Sequence, residues 1–410
     1  MILSLLQPPR PGVDVHGTYK RIALYVRALH AQGFSVEIAY YVTDAEVAPS
    51  ADLGAAARKQ EAAEAAYWGF PVRVHLLRRR AYPTTFANYY LRGIASAGNQ
   101  PAMAPWAGPA QAEGVGALLD SGPDLVVVNN LHATCALLQA GRRPKRLFAD
   151  LDDVQHLVRL RWCRTPPLSV GKALMLSHIP ALLLAERKAA SLAERMFVCS
   201  EADRRHLARL GFPRVTVVPN AAEIPPHPAK PTDEPTLTFV GGIGHTPNRE
   251  AAERMVRHIF PLVRARRADA RLIIAGQGSE ELGPATGNPP GVEFRGFVPD
   301  IEALYDRTAV FVCPMLNGGG TRIKLLDAAA YGLPVVSTRM GASGILFEDG
   351  RDALLRDSDQ AFAEACLHLL SHPAEARRLG SAARRLMQDS YDARAIQRQL
   401  GAMFAPQPVA

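Results

Sequence analysis

Three consecutive glycines, Gly318, Gly319 and Gly320, stand directly before Thr321, Arg322, Lys324 and Asp327, in a run that reads as an amphipathic helix over residues 321 to 331. Glycine is a poor helix former and costly to order, so a backbone this bare implies a group that must come close to it. A loop that opens a helix offers unpaired N–H groups and the positive end of the helix dipole, which together make an anion site. Arg322 and Lys324 would add mobile positive charge, and a diphosphate is the simplest anion to suit the arrangement. Lys324 and Asp327, three positions apart, share a helix face, so the carboxylate sits about one turn, roughly 5 Å, further on. A ribose diol would be a fitting partner for it. The alternative is a tight turn followed by a surface ion pair between Lys324 and Asp327.

The elements that must position this loop repeat along the chain: a short apolar run, then a helical pattern. Strand-like runs occur at 2–6, 36–42, 72–77, 124–129, 146–150, 195–200 and 215–220, and the series resumes at 236–242, 270–276, 292–298, 309–314, 334–338 and 352–356. Runs so apolar, separated by helical stretches, predict parallel strands covered on both faces. Between the two series, residues 221–235 carry five prolines, which no helix or central strand could hold. The fold class expected is therefore α/β, with two doubly wound, Rossmann-like domains facing a central cleft. We divide the chain into a Rossmann-like domain over 1–225, a second over 226–390, and a helix over 391–410 that packs back on the first domain. In this layout the glycine run leaves the strand at 309–314 and opens the next helix, and open parallel sheets bind ligands outside the carboxyl ends of their strands.

Composition excludes several classes. With 48% hydrophobic and 21% charged residues, the 410-residue chain is globular rather than disordered or fibrous. Its most apolar stretch, 173–185, is broken by His178 and Pro180, so no membrane-spanning helix is expected. The start of the chain lacks a basic leader and suits a buried first strand, which places the protein in the cytosol. Five dispersed cysteines without a C-x-x-C pair suggest buried free thiols, and no metal site is expected. The runs "GGIGHTPN" and "GQGSEE" both fail the dinucleotide fingerprint, and no P-loop is present. Charge is uneven: residues 1–225 hold 26 lysines and arginines against 18 carboxylates, whereas 226–410 hold 21 of each. A basic first half attracts anionic partners or is merely well solvated. Without aromatic-interleaved basic motifs, nucleic acid is not the expected partner. An anionic membrane at the inner face of the cytoplasmic membrane, met by peripheral association of the first domain, is.

The second half, from "FVGGIGHTPN" through "VEFRGFVPDIEALYDRTAVFVCPMLNGGGTRIKLLDAAAYGLPVVST", resembles family 4 glycosyltransferases of the GT-B fold, and the resemblance extends over nearly the whole chain. It implies a retaining hexosyl transfer from a nucleoside-diphosphate sugar to a glycan, lipid-linked or other hydroxyl acceptor, in polysaccharide or glycoconjugate biosynthesis, with no cofactor and no essential metal. The family's E-x7-E pair falls at Gly319 and Asp327, so this chain carries a G-G-G-T-R-I-K-x-x-D variant that lacks the first carboxylate. The arginine and lysine that many members place after the first strand of the second domain are replaced by "GGIGHTPN". Arg322 and Lys324 would take over their charge, supported by Gly242, His245, Asn248, Gly318, Gly319, Gly320 and Thr321. Base readout would run through backbone around Phe297 and Val298. The resemblance makes 1–225 the acceptor-binding and 226–390 the nucleotide-sugar-binding domain; in the first, only Gly17 stands where the family's loop against the donor phosphates and acceptor usually has a glycine pair, with His16 beside it, and His132 matches a histidine near the reacting sugar. Such a histidine could hydrogen-bond a sugar hydroxyl or developing charge, or be a satisfied core or cap residue. Asp152 and Asp153, at another strand end, would orient the acceptor or cap a helix. Ser200 with Asp203 reads as an N-terminal capping box. Two other readings keep the fold: a non-catalytic nucleotide-sugar-binding protein, and a nucleotide-sugar epimerase.

Overall fold

The structure, a computed structural model, describes residues 1–4, 7–9, 17–44, 46–79, 109–164, 169–230, 232 and 234–405. The chain forms two compact units, Met1–Pro219 with Ile396–Ala410, and Asn220–Ala395.

The first unit is built on seven parallel strands: β1 (Ile2–Leu3), β2 (Val36–Val42), β3 (Val72–Arg78), β4 (Val126–Asn129), β5 (Leu147–Asp150), β6 (Arg195–Val198) and β7 (Val215–Val217). Their order is β3-β2-β1-β4-β5-β6-β7, so the direction of winding reverses between β1 and β4. Its helices are α1 (Gly17–Ala31), α2 (Leu53–Trp68), α3 (Pro109–Asp120), α4 (Asn130–Ala140), α5 (Gln155–Arg164), α6 (Val170–Leu176), α7 (Ile179–Leu192) and α8 (Glu201–Arg209). The central strands read as continuous apolar runs because both faces are covered: every residue of β4 and β5 is buried.

The second unit has six parallel strands: β8 (Thr236–Val240), β9 (Arg271–Ala275), β10 (Val292–Phe294), β11 (Val310–Cys313), β12 (Val335–Ser337) and β13 (Leu354–Leu355). They run in the order β10-β9-β8-β11-β12-β13, reversing between β8 and β11. Around them lie α9 (Thr246–Arg254), α10 (Phe260–Arg266), α11 (Leu282–Thr286), α12 (Ile301–Tyr305), α13 (Ile323–Ala330), α14 (Asp359–Ser371) and α15 (Pro373–Ser390). Phe239, Phe260, Phe311 and Phe362 are fully buried in this core, each contributing about 1.5–3 kcal/mol of apolar transfer. All five cysteines of the chain are buried free thiols.

The proline-rich stretch is not a free tether. Ala222 bridges Asp392, Ala229 N–H donates to Tyr331 O at 2.8 Å, and Arg384 donates to Pro225 O at 2.6 Å. These bonds place residues from Asn220 onward in the second unit, six positions ahead of the boundary expected at 226. A last helix, α16 (Ala393–Phe404), starts in the second unit and belongs to the first from Ile396. Its Phe404 packs edge-on to Phe148 at 5.0 Å and beside Tyr25 and Phe197, while Arg146 donates to the carbonyls of Met403, Phe404 and Ala405 that end the helix.

Candidate active site

In the second unit the loops leaving β8 and β11 meet where the strand order reverses, the place at which doubly wound sheets bind ligands. The loop after β11 carries the three glycines, with Gly318 at φ +125° and Gly320 at φ +60°, conformations that side chains with a Cβ resist. A Cβ on Gly318 would also lie 2.9 Å from Nη2 of Arg322. The helix expected over 321–331 runs from Ile323 to Ala330, so Arg322 is its N-cap rather than a first-turn residue. No side chain caps α13, and among the described residues the amides of Ile323 and Lys324 donate to no carbonyl. Thr321 is more than nine-tenths buried, yet its hydroxyl has no partner among the described residues.

Neither cation is mobile, and here the sequence expectation is corrected. Arg322 is buried, and its Nη1 donates back to the carbonyls of Gly319 and Gly320, the latter at 2.6 Å. Guanidinium and glycine loop thus form one folded unit, in which the arginine neutralises carbonyl dipoles pointing into the turn. Lys324 lies 4.4 Å from the ring centroid of Phe239 and donates to Asn248 Oδ1 at 2.7 Å. Asn248 in turn donates to Gly242 O at 2.9 Å. His245 is the N-cap of α9, again with no side-chain capping bond. Desolvation lowers Lys324 to about 8, and Arg322 pushes it the same way. Desolvation, then Lys324, then Arg322 lower His245, which leaves it neutral at pH 7. Among the charges acting on Lys324 and His245 there is no carboxylate. Arg322 thus depresses both Lys324 and His245, and Lys324 depresses His245, beside two helix N-termini.

Asp327 keeps different company. Lys324 is bonded to Asn248, whereas Asp327 adds to burial in raising Tyr305, and to burial and Glu302 in raising Tyr331. The strand expected over 292–298 stops at Phe294, so Phe297 and Val298 lie in the loop beyond it. Phe297 is 54% exposed, and Val298 packs against Ile273, Ala275 and Leu304. The turn before them is fixed by Gly296, whose N–H donates to Ser279 Oγ at 2.8 Å and whose carbonyl accepts from Gly276 at 2.6 Å.

In the first unit Gly17 opens α1, and His16 lies outside the described residues. His132 is not at the end of β4, which stops at Asn129; it falls in the first turn of α4. Desolvation, with Arg159 and Arg79, holds it down at about 4, so the ring is neutral and offers one donor and one acceptor. Asp152 takes φ +51° after β5, and its carbonyl accepts from Cys199 Sγ at 3.0 Å; Asp153 follows it, half-buried. The capping expectation at Ser200 is met: its Oγ accepts from Asp203 N–H at 3.1 Å and donates to Asp203 Oδ2 at 2.7 Å.

Several residues escaped the sequence reading. Asp150, fully buried at the end of β5, accepts from Arg21 Nε at 2.7 Å, from Arg21 Nη2 at 2.6 Å and from Asn129 at 2.8 Å. Arg21 also reaches Val218 O at 2.9 Å, joining α1 to the ends of three strands. Its signal was its place on the apolar stripe of α1 with Leu24, Tyr25 and Ala28. Gly241, rather than Gly242, is the crowded glycine: a Cβ there would sit 2.5 Å from Lys324 Nζ, while Gly242 faces open space. Gly276, at φ +133°, passes so close to Gly241 that any Cβ would overlap its carbonyl. Among the described residues no group of three or more His, Cys, Asp and Glu is placed to hold a metal.

Two all-parallel α/β units, each reversing its strand order at a central switch point, define a protein of the GT-B architecture. Residues 16–221 match the family described as "Glycosyl transferase 4-like domain", and residues 234–372 match "Glycosyl transferases group 1". The chain belongs to this glycosyl transferase family. Among solved structures it is similar to sucrose-phosphate synthase from Thermosynechococcus elongatus, with TM-score 0.69, 18% identity and 98% of each chain covered. HepE from Anabaena in complex with UDP-glucose gives TM-score 0.64 at 16% identity, again over 98% of each chain. An uncharacterized 44.6 kDa protein in the cps region of Klebsiella pneumoniae is 27% identical over 168 residues, a match spanning 39% of this chain and 43% of that protein.

Proposed function

We propose that the chain is a retaining family 4 glycosyltransferase that takes its sugar from a nucleoside-diphosphate donor held at the β8/β11 switch point of the second unit. One observation carries the reading: Lys324, desolvated over Phe239 and lowered further by Arg322, stands with His245 against the uncapped amides of α13 and the unpartnered hydroxyl of Thr321. Desolvating an ammonium without a counter-charge is unfavourable unless a ligand supplies the anion, and a diphosphate does so. As the glycosidic bond breaks, negative charge develops on the leaving nucleoside diphosphate. Lys324, the amides of Ile323 and Lys324, Thr321 and His245 are aimed at that charge, and Arg322 holds the loop in shape. Phe297 and Val298 would read the base, and Asp327 the ribose. Gly17, His16, His132, Asp152 and Asp153 would serve the acceptor, a glycan or lipid-linked alcohol, with neutral His132 donating to a sugar hydroxyl. The cps region of the Klebsiella relative supports placing the reaction in polysaccharide or glycoconjugate assembly.

Isothermal titration with UDP, GDP and ADP, followed by mass spectrometry of products from the matching nucleotide sugars, tests the reading. Lys324→Ala should slow transfer by about a hundredfold to a thousandfold, the effect of removing one preorganised donor. EDTA should leave the rate unchanged. Nucleotide binding without product from any acceptor would identify a binding protein instead, and donor conversion without acceptor an epimerase.

A further inference from the structure

Outside the candidate site, the surface of α5, α6 and α7 stands apart. Four of the nine large apolar side chains exposed among the described residues lie within 162–184: Trp162 at 42%, Val170 at 76%, Leu176 at 44% and Leu184 at 47%. On α6 they follow helical spacing, for Val170, Ala173 and Leu176 are exposed while Lys172 and Met175 turn inward. Trp162 of α5 meets that helix through Lys172, whose ammonium lies 5.2 Å from the indole centroid. Arg161 and Arg164 are exposed on the same α5, and no carboxylate lies within salt-bridge distance of either among the described residues. The sequence explains the bias: residues 154–185 contain three arginines and one lysine and not one aspartate or glutamate.

We infer that this face docks the first unit on an anionic lipid surface, with Trp162, Val170 and Leu176 entering the interfacial layer and Arg161 and Arg164 meeting the lipid phosphates. Charge complementarity selects the occupant: a second copy of the chain would bring arginine against arginine, whereas an anionic bilayer supplies the counter-charge and an apolar margin together. Indole is at home at such a boundary, with an apolar body and one donor. Each arginine near an anionic surface strengthens the attachment, an effect attenuated by salt. α5 follows directly on the loop carrying Asp152 and Asp153, so an acceptor anchored in the same surface would be presented to that loop. The docking itself does not depend on the donor reading.

The test is co-sedimentation of the full chain with vesicles of phosphatidylcholine alone or with roughly 30% phosphatidylglycerol. Binding is expected to the anionic vesicles only, and to be lost at about 0.5 M salt. Trp162→Ser with Leu176→Ser, and separately Arg161→Gln with Arg164→Gln, should each lower partitioning about tenfold, with melting temperature and nucleotide affinity unchanged. Wild-type-like partitioning of both variants would overturn the proposal, as would equal binding to neutral and anionic vesicles or none to either. So would sedimentation velocity showing a dimer that the apolar variant abolishes. Nucleotide titration of the same samples reports separately on the donor reading.

Discussion

Lys324 concentrates what is particular to this chain. Its ammonium is desolvated over Phe239 and pressed by Arg322, so its pKa falls from the usual lysine range to about 8. The sign follows from that direction. Below pH 8 the lysine is charged and attracts a diphosphate; above it the free protein has lost the charge, and nucleotide affinity should fall by up to about tenfold per pH unit while the protein stays folded. Titration with the nucleotide between pH 6.5 and 9.5 checks this, and Lys324→Met should flatten the profile. Linkage gives a second outcome. A lysine whose folded pKa lies below its unfolded one binds protons less tightly when folded, so the fold gains stability as pH rises from about 8 towards the unfolded value. Lys324→Met should therefore melt no lower than wild type at pH 7 in the absence of ligand, which an arginine-loop role alone would not give. The residue types of this cluster could be read from the sequence, since Arg322, Lys324, His245 and Asn248 all stood beside glycine runs. The direction of each side chain could not: whether Arg322 points outward or back to Gly319 is decided by burial and by carbonyls that only the folded loop brings together.

At the scale of elements, the thirteen strands were readable because doubly covered parallel strands are apolar throughout, and their order put the two loops at a switch point. Element ends were less readable. Asn129 and Asn130 turn β4 into α4 three residues before His132, and Asn130, at φ +68°, makes that turn with a residue that tolerates it. What joins elements sideways left the faintest trace. The pair Arg21–Asp150 links α1 to β5, and its cost when broken is that of an uncompensated buried charge. Arg21→Met should destabilise the protein by about 3–5 kcal/mol, read as a shift of the urea midpoint. The approach of Gly276 to Gly241 is equally invisible in sequence, because it depends on how β8 and β9 end. Gly276→Ala should cost about 1–3 kcal/mol and disturb Lys324 with it, so nucleotide affinity should fall alongside stability. Buried Glu186 and His156, with half-buried His206, tie α7 to α5 and α8 in the same manner, the two imidazole Nε2 atoms lying 2.8 Å apart. Desolvation, then His156, lowers His206.

Across the whole molecule, the two-domain plan was legible from the proline-rich break and the restart of the strand series, while the path of the chain was only partly so. Ala222, bridged to Asp392, shows why the break belongs with the second unit: three hydrogen-bonded contacts lay it along that unit's own helices. The return of α16 closes the first unit with Phe404, which touches Tyr25, Phe148 and Phe197. Phe404→Ala should cost about 3–5 kcal/mol, measured as a loss confined to the first unit's unfolding transition if the two units melt separately. No helix among the described residues is long and apolar enough to cross a membrane.

That return path carries a consequence for synthesis. A ribosome releases the seven strands of the first unit long before it reaches Ile396, and until then the aromatic seat for Phe404 stays open. The half made first is thus the half completed last, because its aromatic seat is filled by a helix translated after every strand of the second unit.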